Sequence, residues 1–225
     1  MLGTVINVIA VILGSLAGIL FHKFLPDRII KIAFQAIGLF TIVLGISLAI
    51  KTQLFIVMIS SLIIGSILGE VIDINHLLSR TSTWIQQKTK TKEDRFTQGF
   101  ITSFLLFCMG SMTILGSIEE GLGNPPNLLL AKSMLDGFSS IALAASMGIG
   151  VMFSAIPLFL YQGFITLGAS YAQYFFTTSL ITELSAVGGV ILIGLGMDIL
   201  KIKKIKTANM LPSLVIVVIV MMFLF

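Results

Sequence analysis

From Gly3 to Phe21 the chain carries no ionisable side chain, and stretches of the same kind recur along most of its length. The length of such runs decides what the chain can fold into. An apolar helix of about 20 residues matches the hydrocarbon thickness of a bilayer, and in lipid every backbone polar group must find its partner within the protein. Composition points the same way. Of 225 residues, 56% are hydrophobic and 11% charged, with a mean hydropathy of +1.08, where ordinary soluble chains carry roughly 25% charged residues. So few charges cannot cover a soluble surface, and the length leaves no room for a separate soluble catalytic domain. We expect an all-α integral membrane protein, a single transmembrane domain over 1–225. Its eight expected spans cover 3–21, 32–50, 54–72, 100–117, 128–156, 158–176, 184–200 and 210–225. The first run lacks a basic n-region and a small-residue cleavage site, so it reads as a retained span rather than a signal peptide. The single cysteine, Cys108, lies inside an apolar run and leaves no intrachain disulfide to form.

The stretch 73–98 is different in kind. Leu77, Leu78, Trp84 and Ile85 sit among Arg80, Lys88, Lys90, Lys92, Glu93, Asp94 and Arg95, a pattern that predicts an amphipathic interfacial helix and then a solvated loop. Basic residues gather in three connections: Lys23, Arg28 and Lys31; then Arg80, Lys88, Lys90, Lys92 and Arg95; then Lys201, Lys203, Lys204 and Lys206. Only Lys51 and Lys132 fall on the opposite side. The positive-inside rule makes the basic loops cytoplasmic and puts both termini outside, with four crossings between the second and third basic loops. Topology accounts for the net charge of +4. Beyond Trp84 and Phe96 the basic loop has no interleaved aromatics, so nucleic acid is not an expected partner.

Ala36-Ile37-Gly38 in the second run has a counterpart in Ala186-Val187-Gly188 in the seventh, and Leu44-Gly45-Ile46, one residue out of step, in Leu195-Gly196-Met197. Five crossings separate these runs, so they point in opposite directions. Spans 1–3 and 6–8 therefore read as an inverted-topology repeat, an architecture that secondary transporters use to build a midplane site.

Polar residues inside the apolar runs need a partner or a purpose, because an ionisable group at membrane depth costs roughly 2.5–3.5 kcal/mol. They are densest between 110 and 146. Gly110-Ser111-Met112-Thr113 interrupts the fourth run, with Gly116 and Ser117 after it. Glu119 and Glu120 lie at its outer end, in the polar break 118–126. Lys132 and Asp136 follow, four apart on one helical face, with Ser139, Ser140 and Ser146 on the same segment and a break at Met147-Gly148-Ile149-Gly150. Helices broken near 110–117 and 146–150 expose backbone groups that can meet a solute. Ser111, Thr113, Asp136, Ser139 and Ser140 are the expected substrate or cation ligands, with Glu119, Glu120 and Lys132 at an outer mouth and Gly110, Gly116, Gly148 and Gly150 as break glycines. The alternative is a local Lys132–Asp136 pair with hydroxyls bonded back to helix carbonyls. Asn7, Gln162 and Asn209 are polar contacts between helices, and Asn209 with Pro212 caps and begins the last span. Glu70, Asp73, Asp198 and Glu183 read as interfacial charges. Gly14-x-x-x-Gly18 and Gly65-x-x-x-Gly69 permit close helix packing, within the chain or in a homodimer or other homo-oligomer.

His22 and His76 lie far apart and, with one Cys, form no metal constellation. No phosphate-binding loop is present, and no nucleophile–base pair stands out. We expect no enzyme, no resident metal and no cofactor, only a coupling cation such as Na+ or H+.

Gly3-Thr4-x-x-Asn7, the stretch Gly110 to Ser117, Lys132-Ser133-x-Leu135-Asp136-Gly137, Tyr161-Gln162-Gly163 and Asn209-Met210-Leu211-Pro212 together resemble a family of bacterial membrane proteins known as domain of unknown function 554. The resemblance spans essentially the whole chain. It implies a polytopic inner-membrane protein of transport type and carries over no active-site residue. The residues themselves lead us to expect a secondary transporter of a small solute or ion across the bacterial inner membrane, alternating access around a midplane site. A channel, a non-transporting scaffold or assembly protein, and a lipid-modifying enzyme relying on Glu119 and Glu120 remain the competing readings.

Overall fold

The computed structural model describes residues 1–22, 27–88, 95–108, 111–169 and 177–224, and these are mainly helical with no strand. In chain order the helices are α1 (Leu2–His22), α2 (Asp27–Ala49), α3 (Phe55–Ile72), α4 (Ile74–Lys88), α5 (Phe96–Cys108), α6 (Ser111–Gly121), α7 (Asn127–Met147), α8 (Gly150–Phe153), α9 (Ala155–Leu167) and α10 (Thr178–Ile199). A 3-10 turn (Thr207–Met210) then leads into α11 (Pro212–Leu224). Among the described residues, six helices are long and apolar enough to cross a membrane: Leu2–Phe21, Phe55–Ile72, Asn127–Met147, Gly150–Leu167, Thr178–Ile199 and Thr207–Leu224. The pair α5 and α6, bent by 63°, makes a seventh if counted as one span. The apolar part of α2, Gln35–Ala49, is shorter.

Local chemistry sets the ends. Thr177 caps α10 by accepting from the Leu180 N–H at 3.2 Å, and Pro212 opens α11, where a missing N–H costs nothing. The fifth apolar run, expected to continue over 128–156, divides at Gly148. There φ is +80° and ψ −160°, a conformation open to glycine, and the helix stops. The next span starts at Gly150 instead of 158. In the fourth run α5 ends at Cys108 and α6 begins at Ser111. Gly116 sits inside α6, where an added Cβ would lie 2.9 Å from Leu129, so it serves packing and not a break. Gly110 and the side chain of Ser111 lie outside the described residues. The amphipathic helix expected after α3 is present as α4, with Trp84 exposed and the Lys88 ammonium 4.8 Å from its ring.

The helices gather into two packing units, Met1–Phe34 with Thr81–Tyr174 and Gln35–Arg80 with Phe175–Phe225. In the first, α1 and α7 lie parallel, Gly3 against Leu129 and Pro126, Gly14 against Gly137 and Ser140, and Gly18 against Ile141 and Ala145. A Cβ on Gly14 would meet the Gly137 carbonyl oxygen at 2.3 Å, and one on Gly18 the Ile141 carbonyl at 2.3 Å. The Gly14-x-x-x-Gly18 face is thus used inside the chain. Parallel packing brings the N-terminal ends of α1 and α7 to the same side, the relation that the charge pattern requires of spans one and five.

In the second unit α2 and α10 run antiparallel through four glycines. A Cβ on Gly45 would lie 2.5 Å from the Gly189 oxygen, and one on Gly189 would lie 2.5 Å from the Gly45 oxygen. Gly38 and Gly196 face each other in the same reciprocal way, at 3.3 and 2.8 Å. Gly65 and Gly69 of α3 pack antiparallel on Ser213 and Asn209. At one end of this unit Asn209 donates from Nδ2 to Glu70 at 2.6 Å and accepts the Asn75 N–H at 2.5 Å, while Lys206 pairs with Glu70. Hydrogen bonding to Glu70, reinforced by its charge, holds the Lys206 ammonium above the ordinary lysine range. Because the folded value is the raised one, this pair contributes through neutral pH and is lost only as pH climbs through it.

Candidate functional site

The first unit buries a line of polar side chains between α1, α6, α7 and α9. Its centre is the ion pair of Lys132 and Asp136, one turn apart on α7 and 5% and 8% exposed. The i, i+4 spacing dictates that they share a face. Burial dictates that they pair, since an unpartnered charge in a low-dielectric interior is expensive. The ammonium meets Asp136 Oδ2 and stands 5.9 Å from the ring centre of Phe107. Asn7 of α1, fully buried, donates from Nδ2 to the same carboxylate oxygen at 3.1 Å and to Gln162 Oε1 of α9 at 3.3 Å. Asn7 Oδ1 and Gln162 Nε2 are buried without a partner, as is Ser117 Oγ. Open buried acceptors and donors of this kind are ordinarily met by water or a ligand.

One turn before Asn7, on the same face of α1, Thr4 joins a second carboxylate. Glu120 accepts from the Gly3 N–H at 2.5 Å, the Thr4 N–H at 3.2 Å and Thr4 Oγ1 at 2.8 Å, with the chain's terminal ammonium at 3.2 Å. Thr4 Oγ1 also lies 3.3 Å from Thr166 Oγ1 of α9. The carboxylate satisfies donors that a helix start leaves open and complements the positive end of the helix dipole.

Of the residues singled out in the sequence, the structure brings Asp136, Lys132, Asn7 and Gln162 together and adds Thr4 and Thr166. Glu120 is a buried cap of α1 instead of a mouth residue, and Glu119 is half-buried beside it. The hydroxyls are spent locally. Thr113 donates to the Phe107 carbonyl at 2.9 Å, Ser140 to Gly137 at 2.8 Å, and Ser146 to Ala142 at 2.9 Å. Ser139 is half-buried on α7. Gly148 ends α7. A Cβ on Gly150 would sit 2.1 Å from the Phe96 carbonyl, so that glycine lets α8 touch the start of α5. Asn209 belongs to the second unit, at the Glu70 contact, and Pro212 does begin the last helix. An apolar groove of about 580 Å³ lined by Ile6, Leu13, Met134 and Phe138 flanks the α1–α7 pair, and none of the four central polar residues lines it. Among the described residues no group of three or more His, Cys, Asp or Glu could hold a metal.

Sequence reasoning set Glu183 at the interface, but it is 1% exposed and caps α3. It accepts from Thr52 Oγ1 at 2.5 Å, the Gln53 N–H at 2.8 Å and the Leu54 N–H at 3.2 Å. This is the Glu120 arrangement again: a threonine hydroxyl and two backbone N–H groups at a helix start, met by a glutamate from elsewhere in the chain. The only sequence signal was Thr52 beside a helix start with no acidic residue in its first turn. Glu183→Ala leaves the Thr52 hydroxyl and the Gln53 N–H unmet, the Leu54 N–H keeping Thr52 Oγ1 at 3.2 Å, and is expected to cost roughly 1–3 kcal/mol, read as a lower Tm in detergent, with Glu183→Gln falling in between.

The family described as protein of unknown function DUF554 matches residues 2–222. The uncharacterized membrane protein YdfK of Bacillus subtilis (strain 168) is 37% identical over 96% of this chain and 93% of its own length. The uncharacterized protein YqgA of Escherichia coli (strain K12) is 31% identical over 96% and 94%. No solved structure matches. With its apolar helices and relatives of matching length, the chain is a multi-pass membrane protein and belongs to the DUF554 family.

Proposed function

We propose that this protein is a secondary transporter of a small polar solute or ion across the bacterial inner membrane, with its site at the Asp136 cluster and a coupling cation bound there. The observation that carries the reading is the buried Lys132–Asp136 pair joined to two amides that keep unpartnered atoms, inside a bundle of membrane-length helices. Intramembrane ionisable groups mark substrate and proton paths because their insertion cost otherwise selects against them. In this reading eight spans cross the bilayer, α2 and the α5–α6 pair included. The basic loops are cytoplasmic and both termini lie outside.

The reciprocal Gly38–Gly196 and Gly45–Gly189 contacts support an inverted repeat of spans 1–3 and 6–8. In the register that pairs Gly45 with Gly196, Gly38 falls at Gly189, one residue from its own match at Gly188, and in that register a two-fold axis between α2 and α10 makes one contact generate the other. Neutral amides and one compensated ion pair suit an uncharged or weakly charged solute. A multiply charged anion calls for arginine, and no arginine lies in the cluster. The chain in this reading is no enzyme and needs no resident metal.

The test is thermal unfolding of the purified protein against a panel of ions and small metabolites. A solute at a hundred times its Kd should raise the stability of the folded state by about 2.7 kcal/mol. That shift should vanish in Asp136→Asn, each variant being referred to its own unliganded transition. A shift that survives the substitution moves the site elsewhere.

A further inference from the structure

Resting on that reading, we propose that the coupling ion is a proton taken up by Asp136, and that Asn7 and Gln162 read its presence by turning over their carboxamides together. The heavy-atom positions already fit both states. With Asp136 ionised, Oδ2 accepts from Asn7 Nδ2, which forces the Asn7 nitrogen toward it and leaves the same nitrogen donating to Gln162 Oε1. When a proton from water binds Oδ2, that oxygen becomes a donor. Rotation of the Asn7 carboxamide about its Cβ–Cγ bond then puts Oδ1 in the place of Nδ2 to accept it. The matching turn of Gln162 puts Nε2 in the place of Oε1, where it donates to Asn7. The exchange leaves the number of bonds in this chain of groups unchanged, because each amide is close to two-fold about that axis. Only the two atoms without a partner change character. The outer position on Asn7, an acceptor in the ionised state, becomes a donor, and the outer position on Gln162 turns from donor to acceptor. A solute group hydrogen-bonded there in one state is mismatched in the other, which is a direct link between proton and solute.

The neighbours of Asp136 favour a proton over Na+. Hard cations are bound by several oxygens, whereas the carboxylate oxygen is met by an ammonium and an amide N–H. Among the described residues, the other titratable groups near it are the Cys108 thiol on α5 and, beyond that, the Tyr161 phenol on α9. Proton uptake removes the counter-charge that the Lys132 ammonium meets at Asp136, where it stands 5.9 Å from the Phe107 ring centre.

The experiment is pH-difference infrared spectroscopy on the full chain in liposomes, with isotope-labelled asparagine and glutamine side chains. Acidification should produce a protonated-carboxyl band that is absent in Asp136→Asn and retained in Glu120→Gln and Glu183→Gln, with label-sensitive Asn7 and Gln162 bands changing at the same pH. In Asn7→Leu the carboxyl band should remain and the Gln162 band should stop following it, a result that does not depend on the Asp136 variant folding. A carboxyl band that persists in Asp136→Asn, amide bands that ignore it, or the same changes raised by Na+ at constant pH overturns the proposal. None of these readouts involves transport, so the transporter reading stands or falls separately in the ligand-binding test.

Discussion

Lys132→Met is expected to destabilise the folded protein by about 3–5 kcal/mol, the range for removing one partner of a buried ion pair. The loss is large because Asp136 is then left to ionise with Asn7 as its only donor among the described residues, or to take up a proton. The double variant Lys132→Met/Asp136→Asn removes both charges and keeps an acceptor for Asn7, so it should recover most of the deficit. Thermal unfolding in detergent, run as a double-mutant cycle, separates these cases. If the double variant is as unstable as the two single losses added together, Lys132 and Asp136 do not act as a pair.

The second large effect is steric. Gly45→Ala places a Cβ 2.5 Å from the Gly189 carbonyl oxygen and 2.8 Å from the Ile193 nitrogen. Both obstacles are backbone, and no rotamer change relieves them. A loss of roughly 1–3 kcal/mol or more follows from overpacking of this kind. Gly189→Ala meets the mirror-image clash with Gly45 and should cost a similar amount. Since one separation of α2 from α10 relieves both, the double variant should lose less than the sum. Gly38→Ala meets mainly the Leu200 side chain, at 2.6 Å, and should be milder. Gly137→Ala, whose nearest neighbour lies at 3.5 Å, should be close to neutral. Equal tolerance at all four positions would mean that the helices do not pack as described.

Where apolar length and a local cap coincide, the elements were readable directly. The third run, expected over 54–72, is the helix Phe55–Ile72, and the amphipathic stretch after it is a helix around Trp84. The break at Gly148 was visible as well, but hydropathy continues across it, and only the backbone geometry shows that the next span begins there. The i, i+4 spacing was enough to pair Lys132 with Asp136. It could not bring Asn7 to Asp136 or to Gln162, since those contacts join residues 129 and 155 apart in the chain and depend on how α1 docks on α7 and α9. The serines and Thr113 look alike in sequence whether they face a solute or a carbonyl, and the structure gives Thr113, Ser140 and Ser146 to carbonyls. Glu183 was opaque for a similar reason. Its donors, Thr52 to Leu54, lie in the distant connection between α2 and α3, and a lone acid near a span end otherwise reads as an interfacial charge.

The central claim is that Asp136 and its amide neighbours couple a proton to a solute. Its most direct test follows the internal pH of proteoliposomes while small polar metabolites are supplied outside, with wild type and Asp136→Asn in parallel. The account predicts that at least one solute drives proton movement through the wild-type protein and none through the variant. Equal solute-driven proton movement in the two proteins, or none through the wild type across the panel, would contradict it.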